Sequence, residues 1–512
     1  MTAATDAGEW ESQRLHSRGW VVAAAVFAWL AATAWARPLM LPDEGRYVGV
    51  ALEMLRSGDW LTPTLDGLPY FHKPPLFYWI TATSMSVFGA NAWAARAAPL
   101  LGACLAALSL HAFARRWTPA GEARVGLRVL LVQPLFFLGA QFANLDMLVA
   151  GCISATVLLL ADAALSAEHG RQHHGTREAA YVMAALGVLA KGLIGAVLPG
   201  LIVALWLLLR RRGAVLRALI SWRGVLLFTA IACPWFVAMQ LRFNGFLDYF
   251  FVVQHFKRFA AGGFNNVQPF WFYPAVLAAG AAPFLPWLRA ATARGYFQHP
   301  SRSPVRLLMA VWLVVVVGFF SLPASKLIGY VLPAVPPLAW LIADSFLARP
   351  APSVRSRQLW HASFAVAAVL GLGIVAWFSW QPRHSTRELA QIIAARRAPD
   401  EPVFMLNHYD FDVPFYAHLQ APVRVVDDWS GDEVQRQDNW RRELADAGRF
   451  APAAARLSLL EKRDLASALR QAPVNWVLGP ADAALTWPLL LHAQPVATVR
   501  GTTLWRVVTD AR

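Results

Sequence analysis

Apolar runs about as long as a bilayer is thick recur along the first 380 residues, separated by short polar segments. A transmembrane helix needs about 20 predominantly apolar residues. By this measure the pattern predicts eleven spans, at 20–36, 92–114, 125–142, 145–165, 179–192, 193–209, 222–241, 271–289, 305–323, 328–347 and 359–380. The run 76–90 is too short to cross, and its aromatic residues predict a helix that lies at the membrane interface.

The pattern changes at Gln381, after which apolar runs shorten to strand length and acidic residues become frequent. Segments 402–406, 422–426 and 474–478 predict strands, and segments 385–397 and 457–471 predict helices between them. Such alternation is typical of a small α/β domain. The predicted organisation is a transmembrane domain at 1–380, whose first external loop is 41–91, followed by an α/β domain at 381–512.

Composition supports a polytopic α-helical membrane protein. Hydrophobic residues make up 57% of the chain and charged residues 15%, whereas a soluble domain carries about 25% charged residues. The formal net charge is +15, but the cations form short clusters between spans instead of a stripe, so no nucleic acid partner is expected. The three cysteines lie far apart in apolar runs, which argues against a disulfide framework.

The distribution of cations predicts the orientation in the membrane. Loops that follow alternate spans are rich in arginine, as in 115–124 and 210–217, and the intervening loops contain few cations. The positive-inside rule then places the N-terminus in the cytoplasm and the C-terminal domain outside. A cleavable signal peptide ending at Ala36 is the alternative for the first run, although this run is longer than the usual signal core. The loop after it emerges outside in either case.

The loops predicted to lie outside contain a sparse set of ionisable residues. Ionisable groups beside membrane spans are energetically expensive and tend to mark function. The set comprises Asp43, Glu44, Arg46, His72, Lys73, Asp146, Lys191, His255, Arg258 and Lys326, with Tyr330 close by. Carboxylates and cations on one membrane face suit group transfer from a phosphorylated lipid. Cations neutralise the phosphate leaving group, and a carboxylate activates or orients the attacking hydroxyl.

Each of these residues also has a structural explanation. An acid such as Asp43 favours the first turn of a helix, and Lys257 and Arg258 could extend to lipid headgroups. Asp146, His255 and Lys326 could be interfacial residues near the ends of spans. The prediction of a site therefore depends on the whole set lying on one side.

Several short motifs resemble a known family. The segments DEGRY at 43–47, SGDW at 57–60 and YFHKPP at 70–75 resemble the first external loop of the bacterial lipid A aminoarabinose transferases. These enzymes are relatives of the protein O-mannosyltransferases. The resemblance continues in NLDM at 144–147, KG at 191–192, HFKRF at 255–259 and SKLIGY at 325–330, and it covers about residues 1–380.

The resemblance implies a C-type glycosyltransferase fold with an active site on the periplasmic face of the bacterial inner membrane. The implied donor is a sugar linked through phosphate to undecaprenol. By position, Asp43 resembles the catalytic carboxylate of the family, and Asp146 resembles a second acid that lines the cavity. Lys73, Arg258 and Tyr330 resemble the group that binds the donor phosphate.

His72 departs from the family pattern, because the aminoarabinose group usually has glutamate there. In that group the glutamate and a later histidine can hold zinc. His72 and His255 could ligate zinc, which imidazole suits, but two ligands do not define a site, so no cofactor is assigned. The departure leaves open the sugar and the acceptor, whether lipid A, another envelope glycan or a protein.

The sequence thus predicts an inverting glycosyltransferase in which Asp43 acts on the acceptor and Lys73, Arg258 and Lys326 stabilise the departing phosphate. Glu44, Arg46 and Lys191 are expected beside this site. The expected partners are the donor, the acceptor and membrane lipids, with the protein a monomer. A transporter or flippase would place charges near mid-span and show repeated halves. A membrane assembly factor would tolerate loss of Asp43 but not of residues 381–512.

Overall fold

The computed structural model describes residues 19–257, 266–293, 295–299, 302–349, 352–431, 434 and 439–509. The described residues before Gln381 are mainly helical. Their α-helices are α1 (Gly19–Ala31), α2 (Asp43–Ser57), α3 (Leu76–Phe88), α4 (Ala97–Trp117), α5 (Ala120–Val132), α6 (Pro134–Ala140), α7 (Leu145–Glu168), α8 (His174–Lys191), α9 (Ile194–Leu209), α10 (Gly213–Ala218), α11 (Trp222–Arg242), α12 (Phe272–Gly280), α13 (Ser303–Ser321), α14 (Val335–Leu347) and α15 (Val354–Trp380). A π-helix covers Asp248–Lys257, and 3₁₀ segments cover Ala94–Arg96, Ala282–Thr292, Tyr296–Gln298 and Ile328–Ala334.

Helical segments lie at each of the eleven predicted spans, so the chain is a multi-pass helical membrane protein. Among the described residues, six helices are long and apolar enough to cross a membrane. A seventh crossing forms if α5 and α6 act together, although they are bent by 68°. Pro134 causes this break, since the residue before a proline avoids the helical conformation and Gln133 is extended (ψ 123°).

Helix α7 is the central helix of the bundle. Most of its residues are buried, whereas α11 and α15 expose apolar side chains such as Val225, Leu226 and Val369. Apolar exposure of this kind is what a lipid environment favours. With 24 residues, α7 is about 36 Å long, and it therefore connects the two ends of the bundle.

Loop 41–91 contains α2, a small hairpin and α3. The hairpin pairs β1 (Thr64–Leu65) with β2 (Leu68–Pro69). Its turn is formed by Asp66 and Gly67, both with positive φ (54° and 74°). An Asp-Gly pair is the preferred sequence for such a two-residue hairpin turn.

A six-stranded mixed sheet occupies the C-terminal part. Its strands are β3 (Val403–Leu406), β4 (Arg424–Asp427), β5 (Leu459–Glu461), β6 (Val474–Pro480), β7 (Gln494–Val499) and β8 (Thr502–Val508), in the order β5-β4-β3-β6-β8-β7. The first four strands of this order are parallel to one another, and β8 runs antiparallel to both of its neighbours, β6 and β7. Helices α16 (Arg387–Arg396), α17 (Val413–Tyr416), α18 (Trp440–Phe450), α19 (Pro452–Ser458), α20 (Leu465–Leu469) and α21 (Ala483–Thr486) connect them, with 3₁₀ turns at Lys462–Asp464 and Pro488–His492.

Both faces of this sheet are buried, which explains the unbroken apolar run of β3. Val403 and Met405 belong to the same core as the membrane part, and Phe404 and Leu406 belong to a second core on the other face. A strand covered on both faces has a continuous apolar sequence instead of an alternating one.

The prediction of one helix in this region is wrong. The segment 457–471 contains a strand, a 3₁₀ turn and only a short helix. The strand forms because Leu459 and Leu460 pair with Val425 and Val426 of β4. This partner is distant in sequence and does not influence the local pattern.

Candidate active site

Glu44 forms a buried ionic cluster that holds the start of α2 in place. Its carboxylate accepts hydrogen bonds from Arg37 and Arg96 and from the backbone N–H groups of Met40 (2.9 Å) and Ala143 (2.8 Å). Burial alone would raise the pKa of Glu44, but the charges of both arginines lower it to about 2. Arg96 also donates to the carbonyls of residues 34, 37 and 38. The cluster therefore joins the region after α1 to the segment before α7.

Asp43 is next to this cluster, in the first turn of α2. Its carboxylate is paired with Arg46 and accepts a hydrogen bond from Asn144 Nδ2 (3.1 Å). The Oδ1 atom of Asn144 accepts from the backbone N–H of Asp146 (3.0 Å) at the start of α7. Because Oδ1 accepts this bond, it is the Nδ2 group of Asn144 that faces Asp43. Asn144 therefore links the two predicted site residues Asp43 and Asp146.

The structure brings together three motifs that are far apart in sequence: NLDM at 144–147, KG at 191–192 and SKLIGY at 325–330. Asp146 of the first motif is paired with Lys191 of the second. Lys191 ends α8, before the positive-φ Gly192 (87°), and its ammonium lies 4.1 Å from the ring centre of Tyr330. A Cβ on Gly329 would be 2.1 Å from Asp146 Oδ2. Only glycine allows the backbone of this segment to approach the carboxylate so closely.

Lys326 is 4% exposed, and backbone carbonyl groups surround its ammonium. The ammonium donates to the carbonyl oxygens of Gln268 (2.9 Å) and Pro323 (2.6 Å). These bonds hold the turn before the 3₁₀ segment 328–334 in its conformation. The predicted contact of Lys326 with a phosphate stays a prediction.

A cavity of about 560 Å³ opens between these groups. Its polar lining residues are Arg37, Asp43, Asn144, Asp146, Asn266, Gln268 and Lys326. Its apolar lining includes Leu135, Leu138, Phe142, Leu332, Ile374 and Phe378. The cavity therefore offers both charged groups and hydrocarbon contacts to a bound molecule.

The C-terminal domain contributes a charged residue beside this cavity. Glu443, in α18, accepts a hydrogen bond from Arg46 at 2.5 Å, so Arg46 lies between Glu443 and Asp43. The guanidinium also lies over the rings of Tyr47 (5.0 Å) and Phe411 (5.8 Å). The predicted site residue Arg46 is thus the link between the catalytic candidate and the sheet domain.

His72 is buried and connects three parts of the chain. Its Nε2 lies 2.8 Å from the hydroxyl of Tyr249, which also lies 2.9 Å from Gln254 Nε2 and donates to Asp446 Oδ2 at 3.4 Å. The imidazole stacks on Tyr70, with ring centres 4.8 Å apart. His72 therefore ties the loop that carries Lys73 to the π-helix and to α18.

The remaining predicted residues are described less fully. Lys73 is partly buried directly after His72. His255 lies in the π-helix but its side chain is outside the described part, and Arg258 is outside the described residues altogether. No group of three or more potential metal ligands occurs among the described side chains, and His72 Nε2 is already hydrogen-bonded. Zinc binding therefore stays a prediction, and no chemical step is assigned to a metal.

Sequence reasoning missed four residues that build the site: Arg37, Arg96, Asn144 and Glu443. Arg96 had a usable signal, since it is a charged residue inside a predicted span. Asn144 belongs to the NLDM motif at 144–147, in which Asp146 is the predicted site residue. Glu443 had no local signal, because it is 397 residues from Arg46.

The chain is similar in sequence to known glycosyltransferases. A family model described as dolichyl-phosphate-mannose-protein mannosyltransferase matches residues 72–237. The undecaprenyl phosphate-alpha-4-amino-4-deoxy-L-arabinose arabinosyl transferase of Aeromonas salmonicida is 34% identical over 320 residues, which is 60% of this chain and 56% of the relative. The corresponding transferase 1 of Sodalis glossinidius is 33% identical over 360 residues, 67% of this chain and 62% of the relative. The matches thus span about three fifths of these relatives.

Solved structures share the architecture. ArnT from Cupriavidus metallidurans bound to undecaprenyl phosphate superposes with a TM-score of 0.81 over 96% of this chain and 99% of that chain, at 24% identity. The oligosaccharyltransferase of Archaeoglobus fulgidus in the apo form gives a TM-score of 0.53 over 94% of this chain and 72% of that chain, at 15% identity. The predicted resemblance to the aminoarabinose transferases is therefore confirmed, and this chain has the C-type glycosyltransferase fold of ArnT.

Proposed function

We propose that this protein is an integral membrane glycosyltransferase that moves a sugar from an undecaprenyl-phosphate-linked donor to an envelope acceptor. The observation that carries the proposal is the cavity, whose lining combines two carboxylates and other polar groups with apolar side chains. A polyprenyl phosphate sugar likewise combines a charged head with a hydrocarbon tail. The names of the matched arabinosyl transferases support this donor.

The proposed reaction is a single displacement with inversion. An acceptor hydroxyl oxygen attacks the anomeric carbon while the bond from that carbon to the phosphate oxygen breaks. The phosphate leaves with the bonding electron pair, and the hydroxyl proton passes to the carboxylate of Asp43. Arg46 and Asn144 hold this carboxylate in a fixed orientation, which reduces the entropic cost of reaching the reactive geometry.

The leaving phosphate requires positive charge near the breaking bond. Lys191 is paired with Asp146, and carbonyl groups accept hydrogen bonds from Lys326. The family resemblance assigns the main phosphate contacts to Lys73, Arg258 and Tyr330. Lys191 and Asp146 then shape the cavity wall.

The proposed location is the bacterial inner membrane, with the active site and the C-terminal domain in the periplasm and the N-terminus in the cytoplasm. The ends of α7 support this orientation. Its first turn carries Asp146 at the cavity, and its last turn carries Glu168, which is paired with Arg210 of an arginine-rich loop. A division between the two domains after residue 380 follows from the end of α15 at Trp380.

Transfer assays on Asp43→Asn test the proposal. Membranes that contain the variant should transfer aminoarabinose from its undecaprenyl phosphate carrier to lipid A about 100-fold more slowly or worse, as expected for loss of a catalytic base. The matched control is Asp59→Asn, since Asp59 lies in the same loop and pairs with Arg242 (2.9 Å) away from the cavity. Near-normal transfer by a folded Asp43→Asn variant would overturn the assignment.

Protein O-mannosylation is the second candidate, favoured by the mannosyltransferase family model that matches residues 72–237. Mass spectrometry of lipid A and of envelope glycopeptides from a strain that lacks the gene separates the two. Loss of a lipid A substituent supports the first acceptor. Unchanged lipid A together with lost glycopeptides supports a protein acceptor.

A further inference from the structure

An apolar groove of about 340 Å³ lies on the bundle between α7, α8, α9, α10 and α11. It shares no lining residue with the cavity at the candidate active site. Representative lining residues are Ala184, Gly200, Leu216, Leu219 and Phe228.

The polar atoms at the edge of this groove are already engaged. The Tyr181 hydroxyl donates to the carbonyl of Leu219 (3.2 Å) and accepts from the N–H of Ser221 (3.3 Å). Glu178 is paired with Arg177 (2.9 Å) and accepts from the hydroxyl of Ser221. The interior therefore offers hydrocarbon contacts, and an apolar chain is the occupant that fits it.

The rim of the groove is strongly basic. The segment 210–223, which contains α10, has five arginines and no acidic residue. Arg210 and Arg212 share Glu168, whereas Arg211 and Arg217 are exposed and have no carboxylate partner within the described part of the chain. Arg217 belongs to α10, between the groove residues Leu216 and Leu219.

Exposed apolar residues continue this rim toward the lipid. Ile220 is 70% exposed and Trp222 is 72% exposed, and the guanidinium of Arg223 lies over the Trp222 ring. Tryptophan and arginine together are typical of the level of lipid headgroups. The groove therefore opens where acyl chains meet phosphate groups.

We propose that this groove binds an anionic phospholipid, with one acyl chain along the apolar wall and the headgroup phosphate against Arg211 and Arg217. Charge complementarity selects an anionic lipid over a zwitterionic one, since unpaired arginines near a membrane surface attract net negative headgroups. The site is separate from the donor cavity, so it does not depend on the proposed transferase activity.

Native mass spectrometry and thermal unfolding of the purified full-length protein test this site. Phosphatidylglycerol should remain bound and raise the unfolding temperature by several degrees, and phosphatidylcholine should do neither. The variant Arg211→Gln/Arg217→Gln should lose this preference. The control Arg355→Gln/Arg357→Gln removes the same charge from exposed positions at the start of α15 and should keep it.

A second variant tests the groove itself. A side chain at Gly200 would enter open space, so Gly200→Phe should fill the groove and abolish retention of phosphatidylglycerol. If this variant does not accumulate, Ala204→Leu serves the same purpose, because Ala204 also lines the groove. Equal retention of the two lipids by the wild-type protein, or unchanged phosphatidylglycerol binding by the arginine or filling variants, would overturn the proposal.

Discussion

At the scale of single residues, the neutral Asn144 connects the charged groups of the site. It caps α7 through Oδ1 and orients Asp43 through Nδ2. Asn144 thereby joins the first turn of α2 to the first turn of α7. The remaining charge of Asp146 is balanced by Lys191, which the Tyr330 ring covers.

Replacing Lys191 by methionine should destabilise the protein, because it leaves Asp146 buried without its partner. Breaking a buried ion pair in this way costs about 3–5 kcal/mol. The double variant Asp146→Asn/Lys191→Met should recover most of the unfolding temperature. Transfer should stay low in the double variant if Asp146 serves the reaction. A single variant as stable as the wild type would contradict the buried pair.

The hydroxyl of Tyr249 offers a second test, since it joins His72 to Asp446. Tyr249→Phe removes these bonds and keeps the ring packing. We expect transfer to fall by about 10- to 100-fold, because small displacements of catalytic groups are costly, with little change in thermal stability. Tyr181→Phe, at the other end of the bundle, is the matched control. Equal activity of the two variants would show that the link does not position Lys73.

At the scale of elements, α2 connects the membrane bundle to the sheet domain. One side of its first turn carries Glu44 into the bundle, and Gly45 faces the backbone of the C-terminal domain. A Cβ on Gly45 would lie 2.9 Å from the backbone N of Asp412 and from the carbonyl carbon of Phe411. The glycine of the DEGRY motif therefore serves domain packing.

Gly45→Ala should loosen the sheet domain, because the backbone of α17 and its preceding loop must shift to admit a methyl group. Gly49→Ala is the control, since its Cβ would make an ordinary contact 3.6 Å from Leu65 and alanine favours the helix by about 1 kcal/mol. Limited proteolysis and thermal unfolding should show a less stable Gly45→Ala protein and an unchanged or more stable Gly49→Ala protein. The reverse order would be evidence against this packing.

At the scale of the whole molecule, buried carboxyl groups link the hairpin to the C-terminal domain and also form contacts within that domain. Asp66 of the hairpin accepts a hydrogen bond from the N–H of Val423 (2.8 Å). Asp412 accepts from the hydroxyl of Ser385 (2.7 Å) and the N–H of Thr386 (3.0 Å). Burial raises the pKa of both carboxyl groups, that of Asp412 to about 6.

These shifts predict that acid stabilises the C-terminal domain and its contact with the hairpin. Since the pKa of Asp412 is higher in the folded state than in the unfolded chain, the folded state holds the proton more tightly. Its stabilising contribution is full below the unfolded pKa of about 3.9 and is lost as pH rises through about 6. Asp412→Asn should therefore flatten the decline of unfolding temperature between pH 4 and pH 7. Identical slopes for variant and wild type, measured by scanning fluorimetry, would refute this.

The amino-acid sequence by itself determined the multi-pass helical character of the chain and the change of composition at residue 381, and it predicted the ionisable residues of the candidate site. These features are local, since hydrophobic length and the cost of a charge beside a span can be assessed from neighbouring residues. Strands β5, β7 and β8 were not predicted, and the Pro134 break was not anticipated, because their roles depend on pairing and packing with distant segments.

The tertiary structure decided which of those residues face a common cavity. Glu44 and Lys326 have the same local character as Asp43 and Lys73. Glu44 is directed toward two arginines and away from the cavity, whereas Lys326 lines the cavity and donates to backbone carbonyl groups. Glu443 reaches Arg46 from 397 residues away. Such contacts form only when the chain folds, because the energy of a buried charge depends on partners that the local sequence does not specify.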